Sequence, residues 1–237
     1  MNDERPLAIV SGAARGIGRA CVEIFVAQGW QVGALDQDET VRTVFAQNER
    51  AIPLVADVTD PIALQAELDR LPSPAAAVIN AAGVFPPTSL SDFQIEQYRQ
   101  VFDVNVLGTL LLSQLVSRSM TDGGLIVNLS SINAFVPRPD QLLYAATKAA
   151  IVSLTRSMAA DLAPRRIRVN AVAPGPVDTE GVRALGGRLE EAAGQVPLGR
   201  VASPSEIADL IFWLVEGRGA QFVTGETVVC SGGLFMR

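Results

Sequence analysis

Leu7-Ala8-Ile9-Val10-Ser11-Gly12-Ala13-Ala14-Arg15-Gly16-Ile17-Gly18 decides how the rest of the chain is read. Four apolar residues in a row make a buried strand, the glycines make a turn, and a helical pattern follows through about Gln28. Strand, glycine turn and helix start in that order form an anion site, because glycine lets the backbone approach a diphosphate and a helix N-terminus presents free N–H groups. The spacing Gly12-x-x-x-Gly16-x-Gly18 differs from the commonest dinucleotide fingerprint and could be an ordinary turn, but its place after the first strand favours a nucleotide. Gly12, Arg15, Gly16, Ile17 and Gly18 are thus candidate cofactor contacts. A second strand, Gln31–Leu35, follows Gly29 and ends at Asp36. A carboxylate about twenty residues past the glycines can accept both hydroxyls of an adenosine ribose and would repel a 2′-phosphate, which favours NAD over NADP. Arg15 pulls the other way, since a cation in the loop could face that phosphate, but an adjacent carboxylate neutralises much of the advantage.

The totals limit the alternatives. With 237 residues, 49% hydrophobic and 19% charged, the chain can bury one large α/β core. A net charge of -6 without any lysine and arginine run argues against a nucleic-acid partner. No apolar stretch is read as long enough to span a bilayer, and Met1-Asn2-Asp3-Glu4-Arg5-Pro6 lacks a basic region followed by an apolar one; no membrane partner and a cytoplasmic location are expected. There is no histidine, and the two cysteines, Cys21 and Cys230, are far apart. That removes a zinc alcohol dehydrogenase site and a Ser-His-Asp triad, and no metal site is expected. Proton chemistry must use other groups.

Strands and helices then alternate to the end of the sequence. A helix near Thr40–Asn48, shortened by the little room before Ile52, precedes a strand at Ile52–Ala56, Asp57-Val58, and a helix at Pro61–Leu71. The next strand, Ala75–Ile79, runs into Asn80-Ala81-Ala82-Gly83, whose small residues would let a cofactor lie against the backbone. From Ser91, a plausible N-cap, a long helix is expected through to about Met120, with Asn105 in an otherwise apolar setting. A buried amide needs partners, so Asn105 is either a satisfied core residue or the anchor of a water chain near the site. Gly124–Leu129 and Arg166–Val172 are further strands, ending in Ser130-Ser131 and in Pro174-Gly175-Pro176-Val177-Asp178-Thr179. Residues 180–197 have glycines, mixed charge and weak periodicity, as in a mobile substrate flap. Ser203-Pro204 starts a helix to about Glu216, and Thr227–Cys230 is a last strand. Unbroken alternation predicts a single α/β domain with a doubly wound parallel sheet and helices on both faces.

Tyr144-Ala145-Ala146-Thr147-Lys148 opens an alanine-rich helical run to about Leu162. Residues four apart share a helix face, so the phenol of Tyr144 and the ammonium of Lys148 enter the same space. A nearby cation favours a phenolate, and a tyrosine tuned in that way can exchange a proton with an alcohol.

Taken in order, Gly12 to Gly18, Asp36, Asp57-Val58, Asn80-Ala81-Ala82-Gly83, Asn105, Ser131, Tyr144-x-x-x-Lys148 and Pro174-Gly175 resemble the short-chain dehydrogenase/reductase family over nearly the whole chain. The resemblance implies a Rossmann-like seven-stranded sheet in the order 3-2-1-4-5-6-7, with the cofactor across the C-terminal strand ends. It implies that Tyr144 is the general acid/base, that Lys148 bonds the nicotinamide ribose and lowers the tyrosine pKa, and that Ser131, thirteen residues before Tyr144, bonds the substrate oxygen while Ser130 supports the strand. Asn105 would anchor a water leading from Lys148 to solvent, Asp57 and Val58 would meet the adenine, and Val177 and Thr179 would hold the carboxamide. Asn80, Ala81, Gly83, Pro174 and Gly175 complete the implied cofactor contacts. Two departures stand out: Ser11 where the family commonly has threonine, and Ala81 in place of a second asparagine, which removes one hydrogen bond.

The implied reaction is hydride transfer between an alcohol carbon and a nicotinamide, in a homo-oligomer (dimer or tetramer) built through the helices carrying Asn105 and Tyr144. Asn133, Phe135, Arg138 and Gln141, with Phe85-Pro86-Pro87 and the flap, are expected to shape the substrate pocket. A sugar, polyol or other secondary alcohol is the broad expectation. NADPH-dependent 3-oxoacyl-carrier-protein reductases, favoured by Arg15 and Arg200 but opposed by Asp36, and 2,3-dihydro-2,3-dihydroxybenzoate dehydrogenases are the alternatives, and a sensor that has lost its chemistry is the non-enzymatic one.

Overall fold

The computed structural model describes residues 5–184, 186 and 189–236. Its seven strands are β1 (Leu7–Ser11), β2 (Gln31–Asp36), β3 (Ala51–Val55), β4 (Ala75–Asn80), β5 (Leu125–Leu129), β6 (Arg168–Pro174) and β7 (Thr227–Cys230). They form one parallel sheet in the order β3-β2-β1-β4-β5-β6-β7, as the family resemblance implies. β1, β5 and β6 are buried along their full length, because helices cover both faces of the sheet.

Alternation along each strand sorts its side chains into two cores. On one face Ala8, Val10, Ala77, Ile79 and Val127 meet α1 (Gly16–Ala27) and α9 (Pro204–Glu216), with Phe25 edge-on to Trp30 and Phe212 at 5.2 and 5.1 Å. On the other, Ile9, Val78 and Ile126 meet Leu64 of α3 (Pro61–Leu68), Leu112 and Val116 of α5 (Gly108–Ser117), and Ala159 of α6 (Leu142–Leu162). Ser203 and Glu206 cap α9 reciprocally, with Pro204 in the first turn, as the sequence indicates.

α2 (Thr40–Val44) ends ahead of the Asn48 read from the sequence, and is short as the little room before Ile52 implies. The long helix from Ser91 divides into α4 (Ile95–Phe102), a π-helical turn at Asp103–Leu107 that contains Asn105, and α5. Its cap is Gln94, whose N–H donates to Gln97 at 3.0 Å, while the Ser91 hydroxyl is held in a preceding turn by that of Ser89 at 2.9 Å. By length and mean hydropathy of 1.2 the stretch Ile95–Ser117 could cross a bilayer, contrary to the sequence reading. Its Val101, Leu112 and Val116 are buried, the last two in the core under the sheet, while Tyr98 and Leu107 stay exposed. Within the stretch read as a mobile flap, the described residues form α7 (Glu180–Ala184) and α8 (Leu189–Gln195).

Arg168 ties the far end of the sheet together. Buried in β6, its guanidinium donates to the carbonyls of Leu214 and Ala220 at 2.9 and 3.0 Å, and to those of Val215 and Val223 at 3.3 and 3.4 Å. It thereby satisfies the C-terminal carbonyls of α9. Arg168→Met should strand those acceptors and lower the unfolding free energy by at least ~2 kcal/mol, read as a lower urea midpoint at unchanged slope. A midpoint equal to wild type would show that the clamp is dispensable.

Candidate active site

A cavity of about 640 Å³ opens at the C-terminal ends of the strands. Its floor depends on a close approach of the turns that follow the parallel neighbours β1 and β4. The Ser11 hydroxyl accepts from the N–H groups of Ala81 and Ala82, both at 3.2 Å, which pulls the loop after β4 onto the glycine turn. Gly12 there has φ +68°, and a Cβ on it would stand 2.8 Å from the Ala82 nitrogen; one on Gly18 would stand 2.0 Å from the Gly12 carbonyl oxygen. The serine-for-threonine difference therefore keeps the hydroxyl's work.

From this floor the wall runs in both directions. Arg15, Gly16, Ile17 and Gly18 lie at the start of α1, and Asp36, Asp57 and Val58 follow β2 and β3. Asp36 accepts from Ala14 N–H at 2.9 Å and Asp38 N–H at 3.0 Å, which fixes the carboxylate beside the glycine turn. Hydrogen bonds from Thr40, with the Arg15 charge the last contribution, hold the Asp38 carboxyl below its ordinary range. Gly16 N–H donates to the Glu180 carboxylate of α7 at 3.1 Å, an anion at this helix start. Ala81 and Gly83 after β4, and Pro174, Gly175, Val177 and Thr179 after β6, line the same space. An elongated cleft with a glycine floor, N–H groups at one side and a carboxylate at one end fits a dinucleotide.

At the other end Ser131, Tyr144 and Lys148 meet. Ser131 caps a short 3-10 turn after β5, and its hydroxyl lies beside the Tyr144 phenol and favours its ionisation. Lys148 donates to the Leu129 carbonyl at 2.6 Å, with Nζ 5.5 Å from the Tyr144 ring centroid. Ser130 ties the end of β5 to α6 by donating to the Lys148 carbonyl at 2.9 Å. Burial raises the phenol to about 12, only partly offset by the Ser131 bond, and lowers the Lys148 ammonium to about 8. This is the reverse of the tyrosine shift expected from a cation one turn away: with the protein alone around it, desolvation outweighs that attraction.

Asn80 and Asn105 do not line the cavity. Strand alternation sends Asn80 under the sheet, where its amide donates to Ser113 and Asn128 at 2.9 and 2.8 Å. Asn105 accepts from Val84 N–H at 2.8 Å and donates to Val84 C=O at 2.9 Å and Thr147 Oγ1 at 3.1 Å, so its side chain fastens the loop after β4 to α6. The substrate end is lined by Phe85, Pro87, Ile132, Asn133, Arg138 and Gln141, and by Val182, Ala192 and Gln195 of the two flap helices. Phe135 instead stacks on Phe235, centroids 5.2 Å apart. Gln37, Asp140 and Gln195 also line the cavity, and nothing in their sequence surroundings singles them out.

The sequence model of the enoyl-(acyl carrier protein) reductase family matches residues 12–235. An NAD-dependent glycerol dehydrogenase of Listeria innocua is 35% identical over 236 residues, covering 96% of this chain and 92% of its own. The crystal structure of a 3-oxoacyl-[acyl-carrier protein] reductase with bound NAD from Brucella melitensis has a TM-score of 0.87 at 35% identity, over 100% of this chain and 93% of that one. A blue fluorescent protein from a metagenomic library, solved with NADPH, has a TM-score of 0.89 at 30% identity over the full length of both chains.

The buried ammonium makes a stability prediction. Its folded pKa lies near 8 and the ordinary value is 10.5, so between these the unfolded chain holds more protons and stability rises with pH. Below pH 8 the full desolvation penalty is present. Lys148→Met should therefore be more stable than wild type at pH 7, by up to ~3 kcal/mol, and the gain should shrink from pH 8 to 10.5. Urea titrations showing a pH-independent difference, or a less stable variant at pH 7, would contradict this.

Proposed function

The chain belongs to the short-chain dehydrogenase/reductase family and is an oxidoreductase, and from that premise we propose that it interconverts a small secondary alcohol and its ketone with NAD as the preferred cofactor. One observation carries the reading: the Ser131 hydroxyl, the Tyr144 phenol and the Lys148 ammonium meet at the inner end of a cleft shaped for a dinucleotide.

A bound nicotinamide dinucleotide supplies the hydride chemistry. The chain's own groups manage the oxygen and its proton. Ser131, fixed by accepting from Asn133 N–H at 3.1 Å, is placed to bond the substrate oxygen beside the phenol. A phenol held near 12 is protonated at neutral pH, which is the form that gives a proton to a developing alkoxide during ketone reduction. Alcohol oxidation needs the phenolate, so that direction gains from rising pH and from the positive charge of Lys148. Asp36, fixed beside the glycine turn, favours a free ribose 2′-hydroxyl over a phosphate.

The amides of Asn133, Gln141 and Gln195 on the pocket wall suit a substrate with several hydroxyls, and the name of the Listeria relative supports a small polyol. Arg138 lines the pocket without an ion pair among the described residues, which favours a hydroxy acid or cyclic diol acid as the second reading. Arg200 is bound by Glu206 through contacts of 2.8 and 2.6 Å, which weakens its support for a carrier-protein substrate.

NADH formation on glycerol, longer polyols, sugars, hydroxy acids and cyclic diols, each with NAD and NADP, tests the reading. Turnover with NAD on one class, falling at least ~100-fold in Tyr144→Phe, is expected; a Tyr144→Phe enzyme of near-normal activity would sink it. Assembly is part of the proposal. Tyr98, Leu107 and Leu142 are 45%, 41% and 38% exposed on the helices of Asn105 and Tyr144, as an oligomer interface requires. Light scattering should read a dimer or tetramer, and a monomer would refute it.

A further inference from the structure

The helix that carries Tyr144 and Lys148 starts without a cap of its own. Gln141 stands at the N-cap of α6, and its side chain bonds none of the first N–H groups. Leu143 is buried, at 6% exposed, and an unpaired buried N–H there would be destabilising. A partner comes from the loop after β4. The Thr88 hydroxyl accepts from Leu143 N–H at 3.1 Å, and the Thr88 carbonyl accepts from Leu142 N–H at 3.2 Å. In return, Thr88 N–H donates to the Asp140 carbonyl at 2.9 Å, and Thr88 itself is 4% exposed.

The segment Val84–Thr88 is therefore a strap tied at both ends. Asn105 holds both backbone groups of Val84, and Thr88 holds the first turn of α6. Between the ties, the Phe85 ring lies 5.8 Å from the Tyr144 ring. Tyr144 is the third residue of α6, so a shift or fraying of that first turn moves the phenol relative to Ser131, which hangs from β5 and would stay in place.

We propose that Thr88 is a positioning residue of the reaction: its hydroxyl caps the catalytic helix in trans and holds the Tyr144 phenol against Ser131. The proposal rests on the reading of Tyr144 as the acid/base. It places the effect in turnover and not in cofactor affinity, because the glycine turn and Asp36 are built from β1, α1 and β2, none of which Thr88 bonds.

The experiment compares Thr88→Val, which keeps the shape and loses the acceptor, with Thr88→Ser and Thr88→Ala, which both lose the methyl and differ only in the hydroxyl. Each is assayed for kcat and for the KM of NAD with glycerol, or with the fastest alcohol of the panel above, beside Tyr144→Phe. Misplacement of a reacting group by about 1 Å suffices for a loss on the order of 100-fold. Thr88→Val and Thr88→Ala should lose at least ~10-fold in kcat with the KM of NAD within about twofold, and Thr88→Ser should recover wild-type kcat. If Thr88→Val does not fold, the serine and alanine pair decides alone. Equal kcat in Thr88→Ser, Thr88→Ala and wild type, with Tyr144→Phe inactive, would reduce Thr88 to a fold residue and overturn the proposal. An active Tyr144→Phe would remove the acid/base reading itself, and with it anything for Thr88 to position.

Discussion

The backbone of Gly12 lies against that of Ala82, closer than any side chain would allow. β1 stands at the centre of the sheet, with β2 on one side and β4 on the other, and the chain reverses its direction of winding there. A crevice must open where connections leave to opposite faces. What makes the crevice usable is that its two lips, the turn after β1 and the turn after β4, meet backbone to backbone at Gly12 and Ala82 and are pinned by the Ser11 hydroxyl. The glycine turn, the start of α1 and the Asp36 carboxylate then fall on one side, and Ser131 and α6 on the other.

The Tyr144 and Lys148 end of the cleft is electrostatically expensive, and the fold holds it by packing and hydrogen bonds. Lys148 is 5% exposed and has no carboxylate partner among the described residues; one backbone carbonyl, that of Leu129, receives its ammonium. Burial disfavours the ammonium and the phenolate alike, so protein surroundings alone leave the pair as a protonated phenol beside a lysine that loses its charge near 8. A site poised in this way needs helix α6 to be rigid, because charges in a low-dielectric pocket are sensitive to small displacements.

The central strands were legible because β1, β5 and β6 are buried on both faces, and the start of α9 because Ser203-Pro204 puts proline at the first helical position. What resisted reading has no local signature. The π-helical turn at Asp103–Leu107 leaves the apolar run intact while shifting the later residues around the axis, and the cap of α4 fell to Gln94, a weaker capping type than Ser91. The direction of Asn80 is set by one step of strand alternation at the very end of β4. Sequence proximity to Gly83 places Asn80 beside the cavity, and its side chain is nonetheless below the sheet. The substrate end was legible only as a region, since Gln195 and Asp140 reach it through tertiary folding alone.

Three ties to α6 come from three different elements. Ser130, at the end of β5, holds the backbone at Lys148; Asn105, in the π-helical turn, holds Thr147; and Thr88, in the loop after β4, holds the first turn. Asn105 also holds the start of the Thr88 strap, so two of the ties share a support. The amide that the family resemblance assigns to a water relay thus has a mechanical role that uses its donor and acceptor side alike, and the π-helical turn is what places that amide between the strap and the catalytic helix. A helix carrying two buried ionisable groups is in this way located by hydrogen bonds along its length, and the long-range ones are those that a sequence cannot display.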